Sequence, residues 1–406
     1  MYLREADVAE LLTTTDAIAA VEESFRRIAR GVVDNRPRER LRLEDGVFAV
    51  MSCVDHELGY AGLKSYAWLP GGTPFIVLLF SLAAARVEAV IEADKLGQLR
   101  TGAASGVAAR YLARPNASSL GVIGCGWQAA SQIASIRETV PSIDQVVVYC
   151  RSKERLDAFC REHDCEPAES HREAADHEIV VTVTTSKDPV LRGEWLQSGA
   201  LVCAVGANDQ RRRELDNAVL ERAAFVCCDS RDDARQESGD LIEPVEQGIL
   251  DWLEVHELHE VVAGDVQGRA SDDDVVVFKS NGIAAWDLAV GARVVEPNRA
   301  EMRVDRPPHR PERTRATVDP DHDPLGSARV VASLDNALCE SPGRLRDLHG
   351  HRVYESRLAP WHESGTSSVR SRFSSRGLRW RSSSPNTSSA SITAGGRSRR
   401  SSRTRT

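Results

Sequence analysis

A short apolar run, two closely spaced glycines and a helix-forming stretch follow one another in residues 120–130, LGVIGCGWQAA. This order predicts a strand, a tight turn and a helix, because glycine adopts turn conformations that other residues resist. Gly124 would make the turn, Gly126 would let phosphates approach the backbone, and Ala129 would let the helix pack closely on the strand. Unpaired N–H groups at the helix start would then face the phosphates. The segment therefore predicts a dinucleotide-binding βα unit, although ordinary βα loops can contain the same glycines.

Short apolar runs and helix-forming stretches alternate after residue 119. The apolar runs predict strands at 119–124, 145–150, 178–184, 200–205, 224–229 and 274–278. Such alternation is typical of a parallel sheet that helices cover on both faces. We therefore expect an α/β fold with a Rossmann-type NAD(P)-binding domain at residues 116–280.

The first part of the chain has a different organisation. Residues 4–31 predict two helices, the second capped by Thr15-Asp16, and strands are expected at 47–53, 60–68, 75–82 and 89–93. A helix rich in small residues follows at 96–112. Helices followed by clustered strands predict an α+β domain. We place this domain at residues 1–115 and expect a helix at 281–295 to complete it.

Residues 296–406 are rich in Arg, Ser and Pro, contain no Lys and show no sustained periodicity, which predicts a disordered tail. Residues 301–406 contain 20 Arg and 11 Asp or Glu, whereas the preceding 300 residues contain 32 Lys or Arg and 49 Asp or Glu. An Arg-rich arm that binds nucleic acid is one interpretation. An out-of-frame translation of GC-rich DNA is the other. We favour the latter, since the tail lacks the interleaved aromatic residues of a single-strand binder, and nucleic acid is not an expected partner.

Composition also bears on the cellular compartment. Residues 1–10 are polar and acidic, unlike a signal peptide, and no apolar run is long enough to span a bilayer. Several of the nine cysteines lie in predicted strands, which favours reduced, buried thiols over a disulfide framework. Cys160, His163 and Cys165 match no usual zinc spacing, so no metal is expected. We expect a cytoplasmic protein, whose acidic, lysine-poor body fits a salt-rich cytoplasm as well as GC-rich coding.

Three groups of basic residues are candidates for chemistry. Lys64 lies in a mostly apolar strand, and partial burial in a cleft would lower its pKa and make it useful as an acid or base. Arg38 and the two arginines that follow it could bind a carboxylate in bidentate fashion. Arg100 and Thr101 stand near the start of a small-residue helix, which again favours an anion site. For Lys64 and the first arginines, a solvent-facing position is the simpler interpretation.

The end of the second predicted sheet strand bears on the choice of cofactor. An acidic residue there normally accepts a hydrogen bond from the ribose 2′-hydroxyl of NAD. This chain instead has Tyr149-Cys150-Arg151-Ser152. Arg151 and Ser152 would suit a 2′-phosphate better, so we expect NAD(P) with a preference for NADP, unless Arg151 is a solvated loop residue.

Several sequence blocks occur in a characteristic order. Beside the glycine turn at 121–129 they are 62–64 (GLK), 99–105 (LRTGAAS), 189–196 (PVLRGEWL), 204–208 (AVGAN), 213–216 (RELD), 237–240 (ESGD) and 277–280 (VFKS). In order and spacing, across residues 1–295, these blocks resemble the ornithine cyclodeaminase/μ-crystallin family. That family also contains archaeal alanine dehydrogenases and ketimine reductases.

The resemblance implies a homodimer whose subunits have an N-terminal substrate and dimerisation domain, completed by a late helix, and a Rossmann domain between. It implies that Arg38, Lys64 and Arg100 surround the carboxylate and amine of the substrate. The cofactor-binding residues that it implies are Thr101, Gly124, Gly126, Trp127 and Gln128 along the pyrophosphate, Arg151 and Ser152 at the adenosine ribose, and Thr184, Ser186, Val205 and Ser280 near the nicotinamide.

One position departs from the family's pattern. Cyclodeaminases and archaeal alanine dehydrogenases tend to carry an Asp in the block after Val-Gly, thought to assist attack on the imine, and Asn208 occupies that position here. Because Asn cannot act as a base, ring-closing deamination is put in doubt. Asp209 could substitute, but a shift of one residue changes where a side chain points. Pro74 also stands where many members have a cofactor-contacting Thr, with Thr73 beside it.

These expectations define a small amino acid or imino acid as the substrate. We expect hydride transfer between its Cα and the nicotinamide, with Arg38 and Arg100 on the carboxylate and Lys64 handling the proton. Alanine dehydrogenation or ketimine reduction is the first interpretation. The alternative is ornithine cyclodeamination, which yields proline and ammonia. A non-catalytic, NADP-dependent ligand-binding protein of the μ-crystallin type is the second alternative.

Overall fold

The computed structural model describes residues 1–302, with side chains described through residue 296. These residues belong to one compact unit that contains two sheets. The tail predicted at 296–406 lies outside the described residues, except that the last helix continues to Met302. Within residues 1–302, no helix combines the length and the apolar character that a membrane span requires.

The first sheet has six strands, and all but one of its pairs are antiparallel. The strands are β1 (Tyr2–Leu3), β2 (Val33–Leu43), β3 (Gly46–Asp55), β4 (Tyr60–Trp68), β5 (Phe75–Ser81) and β6 (Arg86–Glu92). Their order across the sheet is β1-β6-β5-β4-β3-β2, with β1 parallel to β6. Strands β2 to β6 therefore follow one another as neighbours, as in an antiparallel meander, and β1 pairs with the last of them.

The second sheet has eight strands, and every neighbouring pair is parallel. The strands are β7 (Ser119–Ile123), β8 (Gln145–Tyr149), β9 (Glu166–Pro167), β10 (Ile179–Thr182), β11 (Leu201–Ala204), β12 (Ala223–Cys228), β13 (Val255–Glu257) and β14 (Val275–Lys279). Their order is β13-β12-β14-β11-β10-β7-β8-β9. The central strands β10, β11 and β14 are buried along their whole length, because helices cover both faces of the sheet.

The helices place the two sheets beside each other. They are α1 (Glu5–Leu11), α2 (Thr14–Ala29), α3 (Asp94–Leu112), α4 (Trp127–Thr139), α5 (Lys153–His163), α6 (His171–Ala175), α7 (Asn217–Arg222), α8 (Arg231–Glu237), α9 (Gly239–Glu246), α10 (Leu258–Ala263) and α11 (Ala284–Met302), with a short 3₁₀ turn at Gly193–Trp195. Helix α11 packs on β3, β4, β5 and α2, and α3 packs along α4. The helix of the glycine turn therefore lies next to the helix that follows the first sheet. The predicted fold class is confirmed: a Rossmann-type parallel sheet accompanies an α+β part.

Strand β2 was not expected from the sequence. Its residues Val33–Leu43 read VDNRPRERLRL, in which arginines alternate with other residues and Pro37 interrupts the pattern. The strand lies at the edge of the sheet, where proline is tolerated, and its register shifts between Arg36 and Glu39. A polar edge strand lacks the apolar signal by which strands are recognised.

The cap of α2 differs from the prediction by two residues. Thr13 occupies the N-cap position, and its hydroxyl accepts a hydrogen bond from the backbone N–H of Asp16 at 3.1 Å. The predicted cap, Thr15-Asp16, lies inside the first turn. A run of three threonines offers equivalent N-cap residues, so sequence alone could not choose among them.

The expectation of reduced cysteines is wrong for one pair. Cys125 in the glycine turn and Cys150 after β8 form a disulfide, with Cα atoms 5.7 Å apart. The turn approaches this strand end because the N–H of Gly124 donates to the carbonyl of Tyr149 at 2.9 Å. The other six cysteines of the described part are free thiols.

Candidate active site

A cleft of about 820 Å³ runs between one face of the first sheet and the carboxyl ends of the parallel strands. Twelve of the sequence-predicted site residues line it: Arg38, Lys64, Arg100, Thr101, Gly126, Trp127, Gln128, Thr184, Val205, Asn208, Asp209 and Ser280. Gly124, Arg151, Ser152 and Ser186 are not part of its lining. The carboxyl ends of parallel strands are where α/β proteins bind their ligands, so this cleft is the candidate site.

Lys64 and Arg100 meet at one buried carboxylate. Nζ of Lys64 on β4 donates to Oδ1 of Asp287 on α11 at 2.9 Å, and Nε of Arg100 on α3 donates to the same oxygen at 3.1 Å. All three side chains are buried. Burial lowers the pKa of Lys64 to about 8, an effect that the carboxylate of Asp287 opposes and the positive charge of Arg100 reinforces. Lys64 can therefore exchange a proton near neutral pH.

Arg38 is held by a second buried carboxylate. Its Nη1 donates to Oε1 of Glu237 at 2.6 Å, and its Nη2 donates to the carbonyl of Asn281 at 2.9 Å. Nη1 of Arg40 lies 2.6 Å from the other oxygen of Glu237. Burial raises the pKa of Glu237, whereas the two guanidinium groups act in the opposite direction. Two arginines thus share one carboxylate at this end of the cleft, an arrangement suited to an anionic ligand.

The glycine turn is shaped for an anion. Gly124 has φ +121°, and a Cβ there would lie 2.5 Å from the carbonyl oxygen of Val183, so a larger residue does not fit. Gly126 is the N-cap of α4 and offers no side-chain cap to the first N–H groups of the helix. Apart from Gly126 and its two chain neighbours, no atom of the described residues lies within 4 Å of a Cβ built on Gly126. Open space in front of an uncapped N-terminus of a 13-residue helix fits the pyrophosphate of a dinucleotide.

Neighbouring residues support this turn. Nε2 of Gln98 on α3 donates to the carbonyl of Trp127 at 2.5 Å, and Nζ of Lys95 lies 5.4 Å from the centre of the Trp127 ring. The hydroxyl of Thr101 donates to the carbonyl of Gly97 at 2.7 Å, one turn earlier in α3. The packing of α3 on α4 thus brings Thr101 to the same wall of the cleft as Trp127 and Gln128.

The residues predicted at the adenosine ribose lie beyond the cleft, after β8. Ser152 is the N-cap of α5, and its hydroxyl accepts from the N–H of Arg155 at 3.4 Å. Arg151 is exposed. Ser186 forms a hydrogen bond within its own turn: its hydroxyl donates to the carbonyl of Asp188 at 2.7 Å. Ser280 differs, because it lies in the cleft wall and its hydroxyl donates to Asp229 at 3.1 Å.

Asn208 and Asp209 lie on the loop after β11. The carbonyl of Asn208 accepts a hydrogen bond from Nη2 of Arg40 at 2.7 Å, which ties this loop to the first sheet. Oδ2 of Asp209 accepts from Nη2 of Arg211 at 2.6 Å, and these hydrogen bonds hold the pKa of Asp209 well below its usual range. A carboxylate of such low pKa is a weak base near neutral pH.

The acidic partners of the site were not predicted from the sequence. Asp287 lies in the apolar helix segment AAWDLAV, and Glu237 and Asp240 lie in a block that was noted for its pattern alone. A lone carboxylate in an apolar helix signals a buried ion pair, because unpaired charges are rarely buried. That signal was available for Asp287. Its partners, more than a hundred positions earlier, were not identifiable without the fold.

A parallel sheet that offers a helix N-terminus to an anion, opposite a buried lysine of lowered pKa, defines an NAD(P)-dependent enzyme of the Rossmann type. Residues 1–302 match the sequence model of the ornithine cyclodeaminase/mu-crystallin family. The chain belongs to this family, and the resemblance found in the sequence is confirmed.

Individual relatives agree with this assignment. The chain is 35% identical over 319 residues to the alanine dehydrogenase of Archaeoglobus fulgidus, covering 75% of this chain and 96% of that one. It is similar, with a TM-score of 0.70 and 28% identity, to the Δ1-pyrroline-2-carboxylate reductase of Thermococcus litoralis in complex with NADH and L-proline, covering 74% of this chain and 98% of that one. An archaeal alanine dehydrogenase dimer with bound NAD gives the same TM-score at 32% identity, covering 74% and 97%.

Proposed function

We propose that this protein is an NAD(P)-dependent oxidoreductase that acts on a small L-amino acid or its imine, as alanine dehydrogenases and ketimine reductases do. The observation that carries the proposal is the shared carboxylate of Asp287, which holds Lys64 and Arg100 together in a cleft that also contains an uncapped helix N-terminus. A proton carrier, an anion-binding group and a dinucleotide site are the parts that such a reaction requires.

The position of each basic residue supports a role in this reaction. Arg38 and Arg100 would hold the substrate carboxylate, because both are buried in the cleft wall and each has donors to spare beyond its carboxylate partner. Lys64 would give a proton to the imine nitrogen during reduction and take one from the amine or from water during oxidation. The bound dinucleotide would supply or accept the hydride. By holding the carboxylate, Arg38 and Arg100 would orient Cα of the substrate towards the nicotinamide.

The relatives and the loop after β11 support this substrate class. One solved relative binds NADH and L-proline, and another curated relative is an alanine dehydrogenase, so amines and imines of small size are the first candidates. Asn208 offers no base, and Asp209 is bound to Arg211. Both facts count against the ring-closing deamination of ornithine, which we expect to require this base more strictly than dehydrogenation or imine reduction does.

We propose NADP as the preferred cofactor. Arg151 is exposed at the end of β8, next to the strand end at which the adenosine ribose binds in Rossmann-type sheets. No carboxylate accompanies it in the segment Tyr149–Ser152. A guanidinium group in this position favours a 2′-phosphate over a 2′-hydroxyl.

We further propose that the six-stranded part is the substrate and dimerisation domain of a homodimer. The outer face of its sheet carries exposed apolar side chains on four strands, at Leu41, Phe48, Ile76, Phe80 and Val87. An apolar sheet face of this extent is typical of a protein interface. One similar solved structure is an alanine dehydrogenase dimer.

The proposal is tested by a substrate screen with purified protein. L-alanine, L-ornithine and L-lysine are offered with NAD and NADP, and pyruvate is offered with ammonia or methylamine and NADH or NADPH. We expect absorbance changes of the nicotinamide with one of these pairs. Proline and ammonia formed from ornithine without net NAD(P)H would instead identify a cyclodeaminase. Cofactor binding without any turnover would identify a binding protein.

A further inference from the structure

The carboxylate of Glu214 is completely buried between the ends of β10 and β11, and five donors converge on it. Its Oε1 accepts from the N–H and the hydroxyl of Thr184, at 2.6 and 2.8 Å. Its Oε2 accepts from the hydroxyl of Thr182 at 3.1 Å, and from the N–H groups of Gly206 at 2.7 Å and Ala207 at 3.2 Å. Three of the five partners are backbone N–H groups, which can only donate, so the geometry favours the ionised carboxylate even though burial raises its pKa.

A buried ion pair between Asp240 and Lys279 supports the same loop. Oδ1 of Asp240 accepts from the N–H groups of Glu214 and Leu215, at 2.7 and 2.9 Å. Its Oδ2 lies 3.0 Å from Nζ of Lys279 at the end of β14, and Nζ also donates to the carbonyl of Ala207 at 2.5 Å. The ends of β10, β11 and β14 are therefore held by one continuous network.

This network lies directly behind the wall of the cleft. Thr184, Val205 and Gly206 line the cleft, and Glu214 bonds to the backbone of the first and the last. The glycine turn and the end of β8, where the pyrophosphate and the adenosine ribose are expected, make no hydrogen bond with Glu214 among the described residues. Only one half of a bound dinucleotide would therefore depend on this carboxylate.

We propose that Glu214 is a positioning residue, which sets the spacing of the strand ends that carry Thr184 and the 205–207 segment and thereby places the nicotinamide against the substrate. The inference rests on the proposed function. Three of the five donors are backbone N–H groups from two different strand ends, so a neutral side chain cannot replace the carboxylate without leaving an N–H unpaired.

The test compares Glu214→Gln with a matched control, Glu178→Gln. Glu178 joins β7 and β10 at their amino ends, where its Oε2 accepts from the N–H groups of Ser118 at 2.6 Å and Ser119 at 3.2 Å. The two variants thus make the same change at opposite ends of the strands of one sheet. Titration calorimetry measures the affinity for NADPH and for 2′-phospho-ADP-ribose, which lacks the nicotinamide, and NADH with ADP-ribose serves as a parallel pair. Steady-state kinetics gives kcat and KM.

For Glu214→Gln we expect the NADPH-to-fragment affinity ratio to fall about tenfold and kcat to fall about 100-fold, with fragment affinity unchanged. Glu178→Gln should keep the wild-type ratio and kcat.

The inference would be overturned by any of three results: wild-type values in folded Glu214→Gln, an equal loss of fragment affinity, or the same effect in Glu178→Gln. If Glu214→Gln does not fold, Glu214→Asp keeps the charge but withdraws the carboxylate, and wild-type behaviour of that variant overturns it equally. Should the wild type bind NADPH but turn over no substrate, the proposed function fails, while the affinity ratio still decides the role of Glu214.

Discussion

Lys64 and Asp287 join the first sheet to the last described helix: Nζ of Lys64 lies 2.9 Å from Oδ1 of Asp287, and both side chains are buried. The carboxylate is shared with Arg100, whose Nε lies 3.1 Å from the same oxygen. One negative charge thus faces two positive charges in the cleft. This local excess of positive charge suits a substrate carboxylate, while burial lowers the pKa of the lysine towards neutral pH.

The rate should depend on pH through Lys64. Burial lowers the pKa of this lysine to about 8. Reduction of an imine uses the protonated lysine, so its kcat/KM should be constant below about pH 8 and fall up to tenfold per pH unit above it. Oxidation of the amine uses the neutral lysine, so its kcat/KM should rise up to tenfold per pH unit below about pH 8 and be constant above it. Initial rates in both directions between about pH 6 and about pH 10 check this. Parallel profiles in the two directions would exclude Lys64 as the proton carrier.

Asp287→Asn should lower kcat/KM about 100-fold, because it leaves two buried cations without their counter-charge. It should also move the inflection of the pH profile to lower pH, since the carboxylate of Asp287 raises the pKa of Lys64. Asp55→Asn is the matched control, because Asp55 is a buried partner of Nε of Arg27 at 2.7 Å outside the cleft. That control should lose stability but keep the inflection. An unchanged inflection in Asp287→Asn would refute the coupling.

Arg151→Ala tests the choice of cofactor. Loss of a guanidinium–phosphate contact should raise the KM for NADPH about tenfold to 100-fold and leave the KM for NADH nearly unchanged. Arg155→Ala, an exposed arginine in the first turn of α5, is the control and should affect neither value. Equal effects of Arg151→Ala on both cofactors would contradict a preference for NADP.

Phe80→Asp tests the proposed dimer surface. Phe80 is 38% exposed on the outer face of the first sheet, and a charge there would be buried in the interface without a partner. We expect a dimer for the wild type and a monomer for the variant, by light scattering after gel filtration. Leu253→Asp replaces an 82% exposed apolar residue elsewhere and should remain dimeric. A monomeric wild type, or a Phe80→Asp dimer, would show that this face is not the interface.

The parts of the fold that could be predicted from the sequence are those with a strong local signal. The apolar runs at 119–124, 145–150 and 200–205 lie within two residues of β7, β8 and β11, because buried parallel strands read as continuous apolar segments. The glycine turn was recognisable for a similar reason, since Gly124 has the positive φ that only glycine adopts readily.

What could not be predicted depends on contacts between distant positions. Strand β2 has no apolar pattern and is defined by its pairing with β3. The partners Asp287 for Lys64 and Glu237 for Arg38 become neighbours only when the two sheets pack together. The Cys125–Cys150 disulfide likewise depends on the approach of the turn to the end of β8. Spacing along the chain carries no information on such contacts.

In the proposed reaction, the cleft transfers a hydride between a nicotinamide and Cα of a small amino acid, and Lys64 carries the proton. The most direct test is deuterium transfer from NADPH or NADH labelled at C4, with pyruvate and ammonia or the cyclic imine of proline as the acceptor. Mass spectrometry of the product should show one deuterium at Cα with the wild type, and Lys64→Ala should form the product about 1,000-fold more slowly. Unlabelled product, or label transfer at the wild-type rate by Lys64→Ala, would contradict the account.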